Sequence, residues 1–576
     1  MCANTTTPAS TPSTAAKLKV VLCWHMHQPQ YQDLISGEYL LPWTYLHAVK
    51  DYVDMAAHLE AAPQACAVVN FAPVLLEQID DYAQQIRGFM TNGEALRDPL
   101  LAALAGPVLP TAIESNISLI GACLRANRDR LINRFPHYRR LADMAGLFTQ
   151  HPETLSYLNE QFVVDLLMWY HLAWLAETVR RNDPQVRALI EKGTGYTVHE
   201  RRQLLQIMGD LMSTVIPRYR ALAERGQIEL ALSPYAHPIV PLLLDLRSAL
   251  EAMPVAPLPV AERYPGGEER TRWHIHEGLR VFEKYFGFRP AGCWPSEGSV
   301  SVAALRLFSE AGFRWAASGA NVLNNSVNKS GGGPALHPHQ AFHVKGAGQI
   351  ASFFRDDGLS DLIGFTYSNW HADDAVANLV HHLVNIAQAQ TDPAKTVVSI
   401  ILDGENAWEY FPENGYYFLS ALYQKLSEHP QLELTTYTRC LDQKVNTVEL
   451  PALVAGSWVY GTFSTWIGDP EKNRGWDMLI DAKRVFDRVT AAGRLSGEKL
   501  TLAQRQLAVC EGSDWFWWFG GYNPEAAVSD FERLFRRHLT NLYQVLGEEP
   551  PEYLAHSFTH GSGAPSMGGV MRPGAA

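Results

Sequence analysis

Short apolar runs alternate with long periodic segments along this chain. Leu18 to Trp24 is an apolar run of strand length that ends in His25-Met26-His27-Gln28-Pro29. Ala65 to Phe71 is a second, ending near Asn70, and Gln227 to Leu232 a third, opening into Ser233-Pro234-Tyr235-Ala236-His237-Pro238. Ala291 to Trp294 leads to Pro295-Ser296-Glu297-Gly298, Phe313 to Ala317 follows, and Ile350 to Phe354 ends in Arg355-Asp356-Asp357. The seventh run, Val397 to Leu402, stops at Asp403-Gly404-Glu405-Asn406-Ala407-Trp408-Glu409. Its β-branched residues predict a strand buried on both faces, as in a parallel sheet.

The segments between these runs carry helical periodicity. Residues 72–226 are largely helical in pattern, with periodic stretches from Glu153 to Arg180 and from His199 to Arg225, where Gly226 is a stop signal. Arg270 to Phe286 and Ser301 to Ala311 are also periodic, each followed by glycine, whereas residues 320–340 read as a Gly- and Asn-rich loop. Seven strands separated by helices predict βα units. The fold class expected is α/β: an incomplete seven-stranded (β/α) barrel with a large helical insertion and a C-terminal helical domain, polar residues gathered at the strands' C-terminal ends. The expected boundaries are a flexible leader over 1–16, the barrel over 17–416 with its insertion at 72–226, the helical domain over 417–550 and a flexible tail over 551–576.

Composition narrows the partners. The chain has 576 residues, 47% hydrophobic and 19% charged, enough for a large core. Its formal net charge of −12 and the lack of a long basic run argue against nucleic acid and anionic membranes. No apolar run approaches the ~20 residues of a membrane helix. Seven cysteines, widely spaced and without a CxxC, point to reduced thiols in a cytoplasmic protein. Residues 1–16 lack the basic start and apolar stretch of a signal peptide.

Glu297 and Asp403 each follow an apolar strand and are flanked by glycine and tryptophan. Glycoside cleavage needs such a pair: one carboxyl protonates the leaving oxygen, and the other attacks the anomeric carbon or activates water. Trp294 and Trp408 could stack on sugar rings. His25 and His27, two apart on one strand, could instead grip a metal, as in barrel amidohydrolases. Asp403 and His237 are available for that set, but no lysine lies near a strand exit. A noncatalytic glycan-binding module would keep the aromatics, and the presence of both acids speaks against it.

Five motifs in order make the chain resemble glycoside hydrolase family 57 over about residues 17–550. They are His25-Met26-His27-Gln28-Pro29, Ser233 to Pro238 with His237, Cys293 to Glu297, Leu402 to Asn406, and Asp514 to Trp518. The resemblance implies Glu297 as nucleophile and Asp403 as acid/base, in a retaining enzyme of α-glucans (maltodextrin, glycogen, starch) with no metal or other cofactor. It also implies that the helical domain completes the cleft, with His25, His27, His237, Trp294, Glu405, Trp408, Asp514, Trp517 and Trp518 binding substrate. Phe353 to Trp370 and Ser457 to Arg474 look most like the α-amylase and amylopullulanase branch. A 4-α-glucanotransferase or a branching enzyme would share the scaffold. After the fifth strand, members often carry acidic residues, whereas this chain has Ser318-Gly319-Ala320.

Overall fold

Ten strands are found among the described residues, which in this computed structural model are 16–106, 113–151, 158–331 and 336–563. Seven of them form a closed parallel barrel: β1 (Leu18–Met26), β2 (Ala67–Phe71), β3 (Ile228–Leu232), β4 (Gly292–Cys293), β5 (Trp315–Gly319), β7 (Ala351–Arg355) and β8 (Val397–Asp403). They are paired in that order, and β8 returns to β1. The register β1–β8 runs unbroken from Lys19↔Val397 to His25↔Asp403. The seam between β7 and β8 is a single pair, Arg355↔Ser399. Each barrel strand lies within two residues of its predicted run.

Three short strands escape the hydrophobic pattern. β6 (Ala341–Val344) pairs antiparallel with β7, β9 (Leu432–Leu434) parallel with β1, and β10 (Thr447–Leu450) parallel with β6. Residues 432–450 are thereby tied to the barrel's sheet. All three are brief and partly exposed, so they carry no run of apolar residues.

Alternation along the strands sorts their side chains into two sets. Val21 and Cys23 of β1, Val68 of β2, Ala231 of β3, Ala317 of β5, Phe353 of β7 and Ile401 of β8 share one cluster inside the barrel. The helix Tyr437–Asp442 contributes Tyr437 and Cys440 to it. Val20, Leu22 and Trp24, or Val398, Ile400 and Leu402, belong instead to the outer core with the helices. One step further along the inward set come His25, Asn70, Ser233, Gly319, Arg355 and Asp403. The strand period thus carries these residues from a packed interior to the barrel mouth.

The helices follow the predicted pattern with three corrections. The stretch expected from Glu153 to Arg180 is two helices, Glu160–Ala173 and Glu177–Asn182, broken at Trp174-Leu175-Ala176, and residues 152–157 lie outside the described ones. Residues 320–329, expected as loop, form a helix that buries Val322, Leu323 and Ser326 on one face. Packing of that face overrides the weak helix propensity of its asparagines. Of the stretch 551–576, expected as a tail, residues 552–563 pack back on the helical region: Thr559 is buried, and its Oγ1 accepts from Gly520 N at 3.0 Å. The rest of that stretch, and the leader up to residue 15, lie outside the described residues.

After the barrel come the helices Pro470–Ala491, Gly497–Cys510, Ser513–Trp518 and Glu525–Leu546. A buried cluster docks them. Glu511 accepts from Arg270 at 2.9 Å and contacts His274 Nε2 at 2.7 Å, both on the barrel helix Gly267–Phe286. Glu511 is held well below the usual carboxylate range, at about 2, because Arg270 and His274 outweigh its burial.

The short β4 exists only because residue 292 has no side chain. A Cβ there would overlap the indole of Trp315, whose Nε1 donates to Glu229 at 2.6 Å. Gly292→Ala should therefore cost about 1–3 kcal/mol or more by overpacking. Urea denaturation reads it out, and an unchanged midpoint would mean that the indole has room to yield.

Candidate active site

The barrel mouth opens into a cavity of about 820 Å³, walled by the strand ends, the helical insertion and the C-terminal helices. His25, His27, Glu297, Asp403, Glu405, Asp514, Trp517 and Trp518 all line it. Residues more than 200 positions apart are brought together here by the β1–β8 register and by the short helix Ser513–Trp518.

Glu297 sits in a single helical turn just past β4, with φ 57° and ψ 27°. This left-handed conformation is rare outside glycine and tends to persist where the surroundings over-determine it. Its carboxylate accepts from Trp458 Nε1 at 3.0 Å and lies 3.8 Å from His237 Nδ1. His237 also has a positive φ, 60°, and contacts Ser513 Oγ at 2.9 Å. Burial pushes the Glu297 carboxyl up to about 8, and the charges of Asp403 and Asp514 add to that, while hydrogen bonds from Trp458 and Ser513 oppose it.

Asp403 ends β8 on the inward set, beside His25 in register. It accepts from Asn406 Nδ2 at 3.1 Å. Its pKa is also raised, by burial, against the opposing pull of Asn406, His27 and Arg355. Glu405 is a third carboxyl, 2% exposed, accepting from His27 N and Gln28 Nε2, each at 3.2 Å. Burial and the neighbouring Asp403 raise it well above the usual carboxylate range.

Three imidazoles form a stack at one wall. The centroids of His27 and His237 are 3.8 Å apart, and those of His25 and His237 are 5.0 Å apart. His25 donates from Nδ1 to Asn70 Oδ1 at 2.6 Å, and burial drives its pKa down to about 3. Burial also keeps His237 neutral. His27 Nε2 meets Asp514 at 2.8 and 3.0 Å.

Potential ligand atoms of His27, His237 and Asp514 lie within 4.8 Å of one another. Yet the planes of the two rings are only 22° from parallel. An imidazole binds a metal along its own plane, at about 2.0–2.1 Å for zinc. An ion in the plane of one ring would stand a stacking distance from the plane of the other. The trio fits a hydrogen-bonded stack and fits a shared ion badly.

Two residues expected to stack on sugars do not reach the cavity. Trp294 is fully buried, and Trp408 is 1% exposed. Trp294 packs edge-on against Trp458, with centroids 5.3 Å apart, and Trp408 donates from Nε1 to Gly404 O at 2.9 Å, pinning the turn after Asp403. An apolar strand carries its tryptophan into the core as readily as to the rim, and sequence does not separate the two. His237 too is buried, behind His27 rather than at the surface. The aromatic wall is made instead by Trp43, Trp174, Trp458 and Tyr522 together with the expected Trp517 and Trp518. Trp458 lies in an aromatic stretch visible in the sequence, but nothing there links it to Glu297. Arg355, in the sixth predicted strand's exit, was likewise legible as a position and not as part of the site.

The buried and the lining tryptophans should separate by experiment. Trp408→Ala should lower stability by about 3–5 kcal/mol, with the KM of the folded fraction changed less than twofold. Trp517→Ala should leave thermal unfolding nearly unchanged and raise KM about tenfold, the equivalent of ~1.4 kcal/mol. Unfolding scans and steady-state kinetics on a glucan check both, and equal effects would remove the distinction.

Comparison with known proteins agrees with this geometry. No match to the chain is found among curated proteins. Among solved structures, a GH57 branching enzyme from Thermococcus kodakaraensis superposes with TM-score 0.56 at 16% identity, covering 92% of this chain and 90% of that one. The alpha-amylase AmyC from Thermotoga maritima gives 0.55 at 12% identity, covering 92% and 93%. A GH57-type branching enzyme from Pyrococcus horikoshii gives 0.53 at 16%, covering 93% and 98%. At such identities the likeness is one of fold. The family model for glycosyl hydrolase family 57 matches residues 21–453, three-quarters of the sequence, and the chain belongs to that family.

Proposed function

We propose that this protein is a retaining enzyme of α-glucans, with Glu297 as nucleophile and Asp403 as acid/base. The observation that carries the reading is that both carboxyls line one aromatic-walled cavity, each with its own hydrogen-bond donor. Neutral sugar chains suit the aromatic walls and the acidic net charge. No helix among the described residues is long and apolar enough to cross a membrane. Six cysteines there are free and buried, in keeping with a cytoplasmic setting.

In the first step Asp403 gives its proton to the glycosidic oxygen while a Glu297 oxygen attacks the anomeric carbon. The C–O bond to the leaving sugar breaks, and a glycosyl ester forms on Glu297. In the second step the Asp403 carboxylate takes a proton from an incoming hydroxyl, which attacks the same carbon and releases Glu297. Water as that hydroxyl gives hydrolysis, the α-amylase or amylopullulanase outcome. A sugar hydroxyl gives the 4-α-glucanotransferase or branching outcome. Trp517, Trp518 and Tyr522 line the same cavity, where a donor chain or an acceptor sugar could pack.

Incubation with maltoheptaose separates these outcomes. Shorter sugars alone mean hydrolysis, and sugars longer than the input mean transfer. Glu297→Gln should lower turnover by several orders of magnitude with unfolding unchanged. Near-normal activity in that variant would refute the assignment. Proton NMR of the first product should show the α-anomer before mutarotation. A β-anomer first would make Glu297 a base.

The pH profile follows from the two buried carboxyls. The productive form has Glu297 ionised and Asp403 protonated. Below the lower titration step of the pair both hold protons, and no nucleophile exists. Above the upper step, near pH 8 by the position of Glu297, both are ionised and no acid exists. A plot of kcat/KM against pH should be bell-shaped, with its alkaline limb near 8. A flat profile from pH 6 to 9 would contradict coupling of the pair in this range.

A further inference from the structure

Glu297 has its charge opposed from most sides. Asp403 on β8 and Asp514 on the helix Ser513–Trp518 are both carboxyls, and His237, His25 and His27 form the neighbouring wall, the first two held neutral by burial. Arg355 on β7 is committed to Asp357, at 3.0 Å, and to Asp361, at 2.7 Å. The hydrogen-bond donors to the Glu297 carboxylate, Trp458 Nε1 and Ser513, both come from outside the barrel strands, and Trp458 is the one that also binds the main chain of Glu297.

That donor arrives on a strap, residues 454–463, laid antiparallel across the turn after β4. Val300 N donates to Gly456 O at 2.9 Å, and Gly456 N donates back to Val300 O at 3.1 Å. Two residues on, Trp458 N donates to the backbone carbonyl of Glu297 at 3.1 Å, and Trp458 Nε1 donates to its side chain at 3.0 Å. One residue therefore grips both the main chain and the carboxylate of Glu297. The strap is itself anchored, by Val454 N donating to Ser326 Oγ at 2.8 Å and by Asn325 Nδ2 donating to Gly461 O at 3.1 Å. The Trp458 ring is fixed from two directions, edge-on by Trp294 and over its face by the Arg355 guanidinium, 5.5 Å from the centroid. Residue 319 must be glycine for this to fit, because a Cβ there would come within 2.7 Å of Trp458 Cα.

We infer that Trp458 is a positioning residue for Glu297: its indole N–H fixes the attacking carboxylate, and its backbone N–H holds the left-handed turn that presents it. The inference rests on the reading of Glu297 as nucleophile. A hydrogen bond to a charged acceptor favours the charged form. Removing it should raise the step in which Glu297 ionises, the alkaline limb of kcat/KM near 8, by about one pH unit, the lower end for a hydrogen bond to an ionised group.

Trp458→Phe keeps an aromatic ring and removes the donor. The expected result is an alkaline limb moved up by about one unit, a kcat reduced tenfold or more at pH 6, and a KM changed less than threefold. Replacement of Trp458 by benzothienylalanine, which has the shape of tryptophan without the N–H, should give the same shift and covers a failure of the phenylalanine variant to fold. A ring that serves only as a sugar platform would raise KM and leave the limb in place, and that result overturns the inference. Titration of the Glu297 carboxyl by 13C NMR, assigned by its absence in Glu297→Gln, reads the same shift without substrate. A wild-type protein that forms no glucan products would sink the reading of function. An unmoved NMR titration in both Trp458 variants would sink the inference alone.

Discussion

The barrel depends on a seam held by one arginine. β7 and β8 share a single ladder pair, so their union needs another bond, and Arg355 supplies it by donating from Nε to Ile401 O at 2.8 Å. Asp356 N donates to Ser399 O at 2.8 Å, and Ser360 Oγ accepts from Ile401 N at 3.2 Å. A buried guanidinium is costly unless its charge is met, and Asp357 and Asp361 meet it. The same group then faces the cavity, lowers the pKa of Asp403 and covers the indole of Trp458. Closure, the pull on the Asp403 carboxyl and the cover over Trp458 therefore share a side chain. Removing it would leave two carboxylates uncompensated and weaken a join that has a single ladder pair.

The two carboxyls sit in opposite electrostatic settings. Glu297 is surrounded by other carboxyls, whereas His27 and Arg355 work against the rise at Asp403. Burial is the largest cause of the rise at both, and only at Glu297 do neighbouring carboxyl charges add to it. The hydrogen-bond donors aimed at Glu297 are what offsets those charges.

Much of this was legible because strands and their ends obey a period of two. The runs from Leu18 to Leu402 show seven buried strands, and the first polar residue past each run marks the mouth. His25 and Asp403 are readable in that way and Glu297 lies just past the fourth run, whereas Asp514, on a helix, is legible only through the fifth motif. What the period cannot give is the direction of a tryptophan at a strand end. Trp294 and Trp408 stand beside the acids in sequence and beneath them in space, where they pack the turns instead of touching the cavity. Nor does local pattern reveal contacts between distant segments. Trp43 enters the wall from the connection between β1 and β2, Trp174 from the insertion, and Trp458 from a strap 161 residues beyond the glutamate it holds.

The departure at the end of β5 acquires a physical reason from that strap. Family members often carry acidic residues at this point, and here the chain has Ser318-Gly319-Ala320. Ser318 Oγ donates to Gly298 O at 2.6 Å, fixing the far side of the Glu297 turn. Gly319 leaves room for the Trp458 backbone, and Ala320 N is taken by Asp357 Oδ1 at 3.4 Å. An acidic side chain at 319 would collide with the strap. At 318 it would replace the donor that steadies Gly298 and add a third carboxylate charge near Glu297, whose own charge is already opposed by Asp403 and Asp514. The small residues are thus what the hold of Trp458 on Glu297 requires of the neighbouring strand.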